Sequence, residues 1–181
     1  MVDDSELLVD IVRDVLEDEG WSINAALSGR DALGIAAHEL PDIVVCDLNM
    51  PGMSGMEVMD ELHALDADIP VIMLSGSEDL TSVLAAVRQG AFDYVTKTGD
   101  YAQALVAAVN RARKHLFLQR ENTRLASIVR EANKELAENL AELDRQHKLL
   151  IDEKARSEAL LRNVLPGAIA DRLKATDERI A

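Results

Sequence analysis

"VVCDLNMPGMSG", residues 44–55, carries an apolar run that ends on a carboxylate, Asp47, and then passes into turn formers and methionines. A loop acid at the end of a strand is ordinary. A buried strand that delivers its one charge to a rim shared with other charges is a place for chemistry. Which of these Asp47 is depends on what the rest of the chain brings to the same rim. "SELLVDIVRDVLEDEG" places Leu7, Leu8, Ile11, Val12, Val15 and Leu16 on one helical stripe and stops at Gly20. "GRDALGIAAHE" and "MEVMDELHAL" read as helices, as does "SEDLTSVLAAVRQG", with Ser77 as N-cap and Gly90 as stop. "DIVVCD", "IPVIMLS" and "FDYVTK" read as short buried strands between them. This alternation predicts βαβ units and a parallel sheet covered on both faces. Such sheets work beyond the carboxyl ends of their strands, where Asp47, Ser75 and Lys97 all fall.

Charge divides the chain near residue 100. Up to Asp100 there are 21 acids against four bases, a balance of −17, and from Tyr101 onward 12 acids against 15 bases, +3. The first part lacks the basic residues that nucleic-acid backbones require, and the second mixes signs as solvated helix faces do. Neither a nucleic acid nor a membrane is expected as a partner, since no apolar run approaches spanning length and no signal peptide opens the chain. The single cysteine, Cys46, excludes an internal disulfide and fits a cytoplasmic protein. Aromatics at 3% leave Leu, Val, Ile and Ala to fill the core, and Cys46 and Trp21 read as packing residues. The methionines at 50, 53, 56 and 59 fit helix and loop packing better than a soft-metal site, and the four histidines lack ligand spacing. There is no glycine loop followed by Lys-Ser/Thr, no HExxH and no paired CxxC.

"VDDSE" at the amino end adds Asp3 and Asp4 to the same rim. Three converging carboxylates repel one another, and a hard, oxygen-seeking divalent cation relieves that repulsion, Mg²⁺ best of all. A carboxylate is also a nucleophile toward phosphorus, giving an acyl phosphate. The transferring phosphoryl group then needs positive charge around its oxygens, and Lys97 is placed to supply part of it.

Taken in order, "VDDS", "VVCDLNMPGMSG", "VIMLSGSED" and "GAFDYVTKTG" resemble the receiver domain of two-component response regulators over about the first hundred residues. The resemblance implies a flavodoxin-like α/β fold, a doubly wound five-stranded parallel sheet of order 2-1-3-4-5. It implies Asp47 as phosphoacceptor, with Mg²⁺ held by Asp3, Asp4, Asp47 and the backbone carbonyl of Asn49. It further implies Lys97 as partner of the phosphoryl group, Ser75 as switch hydroxyl and Tyr94 as switch aromatic. The implied partners are a histidine kinase or phosphotransfer protein, and the output face is built by the fourth helix, last strand and fifth helix. Two departures stand out. Only Met1 and Val2 precede the acid pair, and so short a central strand is expected to cost stability or invite pairing from another chain. Thr98 follows Lys97 where the family has a cis proline; a non-proline cis bond costs about 3 kcal/mol, so a trans bond is expected.

From Asp100 to Leu165 there is neither glycine nor proline. A 3,4 seam runs from Leu118 through Asn122, Leu125, Val129, Ala132, Leu136, Leu140, Leu143, His147, Leu150, Lys154, Ser157 and Leu161 to Val164, ten of its fourteen positions apolar. That pattern predicts a dimeric coiled coil, with a stutter where Leu136 is followed by Leu140. "LLRNVLPGAIADRLK", residues 160–174, resembles the connector that precedes the catalytic domain of class III nucleotide cyclases. The expected domains are therefore a receiver at 1–99, an extended fifth helix and coiled coil at 100–165, and a connector at 166–181. The chain itself is not expected to be an enzyme; the expected parent is an adenylate cyclase whose output domain receives the signal. The competing reading is a receiver-like dimerisation scaffold that is never phosphorylated.

Overall fold

The computed structural model describes residues 1–76 and 80–164. Two compact units divide the chain, Met1–Arg120 and Glu121–Ala181. The first unit holds helices α1 (Glu6–Asp18), α2 (Gly29–His38), α3 (Gly55–Leu65) and α4 (Leu80–Gln89), strands β1 (Val44–Asp47), β2 (Val71–Ser75) and β3 (Asp93–Thr96), and the start of α5 (Tyr101–Val164).

Local chemistry sets the helix starts. Ser5 caps α1, its side chain accepting from the Leu8 N–H, and Ser28 caps α2 in the same way through Asp31. Ser54 and Glu57 satisfy each other's backbone N–H groups at the head of α3, which fixes where the chain turns after β1. The strands β1 and β2 are buried throughout, as parallel strands covered on both faces must be. Alternate residues of β2 point to opposite layers. Val71 and Met73 pack with Val58, Met59 and Leu62, while Ile72 and Leu74 pack with Val12, Leu16, Leu105 and Val109. One layer is thus built by α2, α3 and α4, the other by α1 and the start of α5.

The sheet departs from the expected five strands. Among the described residues three strands form it, parallel and in the order β1-β2-β3. The expected first and second strands are reduced to two isolated parallel bridges from Val2, one to Ala26 and one to Cys46. The reason is local. Asp3, directly after Val2, accepts from the Ser5 N–H and the chain turns into α1, so no ladder can propagate beyond Val2.

The head of α5 is gripped from three sides. Arg111 donates to Asp93 on β3, Arg113 lies 5.6 Å over the Trp21 ring, and His115 packs on Phe92 with centroids 5.3 Å apart. In the second unit nearly every described side chain is exposed. The Ser77 cap expected for α4 and the connector expected at 166–181 lie outside the described residues. No helix among the described residues is long and apolar enough to cross a membrane.

Candidate functional site

Strand ends meet at one rim. Asp47 closes β1 and Ser75 closes β2, both buried. Lys97 follows β3, its backbone N–H donating to the Ser75 carbonyl at 2.7 Å. Val2 is clamped between its neighbours, donating to Val45 and accepting from Asp47, each at 2.8 Å. That clamp carries Asp3 and Asp4 to the same rim.

The side chains converge as the spacing predicted. The Lys97 ammonium sits 2.8 Å from Asp3 Oδ2 and 2.9 Å from Asp47 Oδ1. Carboxylate oxygens of Asp3, Asp4 and Asp47 lie within 4.8 Å of one another. Three hard oxygen donors that close, only one of them solvent-exposed, are the donor set that Mg²⁺ takes while retaining waters. The residues fit that ion.

Burial raises the pKa of Asp47, and hydrogen bonding to Lys97 opposes the rise. Burial alone would lower Lys97, but its bonds to Asp3 and Asp47 outweigh it and hold the ammonium above the ordinary lysine value. The neighbouring Cys46 thiol is pushed up to about 12 by burial and then by the Asp47 charge. It is therefore no nucleophile at neutral pH.

Of the other predicted residues, Tyr94 is half-buried against the layer that contains Met73. Asn49 is exposed in the turn after β1. The peptide bonds are all trans among the described residues, Lys97–Thr98 included.

Two contributions escaped the sequence reading. Asp3 divides its oxygens, Oδ1 accepting from the Ser5 N–H and Oδ2 from Lys97, so one carboxylate ties the start of α1 to the site. Gly55 was read only as a turn former. A Cβ there would meet the Asp47 carbonyl oxygen and lie 3.1 Å from the Leu48 Cα. The tripeptide "MSG" ahead of a capping Glu57 was the available signal. Because backbone cannot yield as a side chain can, Gly55→Ala should cost about 3 kcal/mol. Urea unfolding will show it as a lower midpoint, whereas Gly34→Ala, with open space around it, should leave the midpoint within error or raise it.

Comparison with known proteins places this rim in a family context. The family model described as "Response regulator receiver domain" matches residues 1–110. The chain is 36% identical over 97 residues to the probable transcriptional regulatory protein TcrX of Mycobacterium tuberculosis, covering 54% of this chain and 42% of that protein. The crystal structure of NtrX from Brucella abortus in complex with ATP matches with a TM-score of 0.65 at 30% identity, over 68% of this chain and 28% of that one. A response regulator receiver domain protein from Clostridium thermocellum matches with a TM-score of 0.59 at 32% identity, over 64% of this chain and 94% of that one. The chain thus spans less than half the length of TcrX but covers nearly the whole of the Clostridium chain.

Proposed function

The chain belongs to the response regulator receiver family over residues 1–110, and from that premise we propose that it is the phosphorylation-controlled regulatory part of a longer signalling protein. The observation that carries the proposal is the Lys97 ammonium bridging Asp3 and Asp47 beside Asp4. Asp47 is the phosphoacceptor. Its carboxylate oxygen forms the new O–P bond as the donor's N–P bond breaks, and the electron pair leaves with the donor nitrogen, in the imidazole of a histidine kinase or phosphotransfer protein. Lys97 holds Asp47 ionised for attack and then turns to the phosphoryl oxygens. Asp3, Asp4, Asp47 and the carbonyl of Asn49 would hold Mg²⁺, which when bound supplies positive charge to those same oxygens.

Ser75 and Tyr94 are the switch residues in this reading. Phosphoryl oxygens attract the Ser75 hydroxyl, and Tyr94 reorients on β3 next to Asp93, which holds Arg111 of α5. The event biases an existing equilibrium rather than creating a new state. The receiver at 1–99 feeds a homodimeric coiled coil at 100–165, assisted by the face of α4, β3 and α5, and the connector at 166–181 delivers the signal to an output domain. A nucleotide cyclase, adenylate by preference, is the output proposed. That part rests on residues 160–174 alone, and the relative TcrX is described as a transcriptional regulator.

Intact mass after incubation with acetyl phosphate and Mg²⁺ tests the reading. One phosphoryl group is expected on this chain and none on Asp47→Asn. A folded chain that gains nothing would leave the competing role, a dimerisation scaffold.

A further inference from the structure

Between β1 and α3 the chain is irregular over residues 48–54 and carries the exposed Asn49. Both ends of this loop are fixed. The Gly55 N–H donates to the Leu48 carbonyl at 3.0 Å, and the Ser54–Glu57 pair caps the helix that follows. Between those ends two methionines reach back into the core. Met50 is buried, and Met53 packs half-buried on the same cluster. The sulfur of Met53 has a particular seat. A β carbon on Gly29, the first residue of α2, would lie 2.8 Å from Met53 Sδ and 2.6 Å from Val58 Cγ2. The thioether therefore takes space that a side chain at 29 would fill, with the buried Val58 of α3 beside it. A soft, unbranched side chain suits such a gap. Through it the loop rests on α2.

The same sulfur is open to reagents. Met50, Met59 and Met73 are buried, whereas Met53 keeps part of its surface in solvent. Met56 is half-buried too, but it stands within the first turn of α3, where helix backbone rather than its side chain sets its place. Oxidation turns a flexible apolar thioether into a polar sulfoxide with an oxygen on the sulfur. At Met53 that oxygen would be added to the atom packed against Gly29 and Val58, in a space already filled.

We propose that Met53 is a modification site, oxidised to its sulfoxide by hydrogen peroxide, and that the oxidised side chain leaves its seat on Gly29 and loosens the loop that carries Asn49. In the reaction a sulfur lone pair takes one peroxide oxygen as the O–O bond breaks. The other oxygen leaves as water with both protons, so sulfur loses two electrons and the peroxide gains them. The consequence for the acid cluster rests on the reading of that cluster, with the Asn49 carbonyl, as a Mg²⁺ site. Met53 touches none of the proposed ligands and is a positioning residue. Losing a support of that kind weakens metal binding by about 10-fold or more.

The test treats the full chain with hydrogen peroxide and locates each sulfoxide by peptide mass. Mg²⁺ affinity by calorimetry and the amide exchange rate of Gly55 are read before and after. Met53 should oxidise ahead of Met50, Met59 and Met73. With it the Mg²⁺ dissociation constant should rise about 10-fold and Gly55 exchange should quicken about 10-fold. Methionine sulfoxide reductase with a dithiol should reverse both, since it returns the thioether. Met53→Leu, close in volume and without sulfur, should show neither response to peroxide, and Met56→Leu should show both. Unchanged Gly55 exchange in chains oxidised at Met53, or an equal response from Met53→Leu, would overturn the proposal. Faster Gly55 exchange with unchanged Mg²⁺ affinity would overturn the link to the acid cluster. An untreated chain that binds no Mg²⁺ would instead sink the metal reading of the cluster, and Gly55 exchange would still decide the fate of the Met53 seat.

Discussion

Lys97→Met is expected to destabilise the first unit by about 3 kcal/mol at pH 7, the low end of what removing one partner of a buried ion pair costs. The side chains of Asp3 and Asp47 are 1% and 8% exposed, against 19% for Lys97. Methionine keeps the stem packed but leaves two carboxylates facing each other with water largely shut out. For a unit of this size the melting temperature should fall by about 10 °C. Direction with pH follows from linkage. Lys97 holds the Asp47 pKa down, so without the ammonium that folded-state value rises further, and the variant's deficit is complete above it and shrinks as pH falls through it. In the original chain the Lys97 pKa is itself raised. Its stabilisation is present below the ordinary lysine value and is lost as pH rises through the higher folded value. Mg²⁺ should restore more stability to the variant than to the original chain, because the ion then replaces charge that the original chain already has. Urea titrations at pH 7 and pH 5, each with and without Mg²⁺, check the loss at pH 7, its decrease toward acid and the Mg²⁺ effect. Equal midpoints for the two chains at pH 7 would mean that the Lys97 contacts contribute nothing to stability.

The gathering of Asp3, Asp4, Asp47 and Lys97 was legible because it depends on alternation, which is a local property. Apolar runs that end on polar residues mark strand ends, and in a parallel sheet all such ends face one way. The two layers were legible for the same reason. What stayed hidden depends on who a residue's neighbours are in space. Val2 is as β-branched as any residue of β1, yet it makes two bridges rather than a strand, because its extent is set by Asp3 turning into α1. Gly55 looks like any turn glycine until the Asp47 carbonyl is found against it. Pairs such as Asp93 with Arg111 and Asp42 with Arg120, separated by 18 and 78 residues, leave no periodic trace in the chain. The placement of the reactive groups was therefore readable, while the supports that hold them in place were not.

In the proposed coiled-coil dimer, Leu136→Lys combined with Leu140→Lys should raise the dissociation constant by at least about 1000-fold. Both leucines are more than half exposed on the single helix, at 56% and 58%, and Leu118, Leu125, Val129 and Leu143 on the same stripe are comparable. Burying a leucine contributes about 1.5–3 kcal/mol. Two positions on two chains lose several such contributions, and each 1.4 kcal/mol is tenfold in affinity. The four lysines also place like charges in one seam. Leu149→Lys is the control, since Leu149 is 64% exposed but lies off the seam, and it should leave the dissociation constant within about threefold. Sedimentation equilibrium at micromolar chain concentration reads all three proteins. Because the substituted residues belong to the second unit, the melting temperature of the first unit should stay unchanged, which separates loss of pairing from loss of fold. A monomeric original chain would remove the coiled coil from the proposed signalling route. If it is dimeric, cysteines introduced singly at 136 and 140 can report whether acetyl phosphate changes the seam. Cys46, buried and with its thiol pushed up to about 12, does not compete in that assay. A shift of cross-linking from one position to the other would make the stutter the place where charge at Asp47 becomes movement along the helix. Equal cross-linking in both conditions would confine the effect of phosphorylation to the face of α4, β3 and α5.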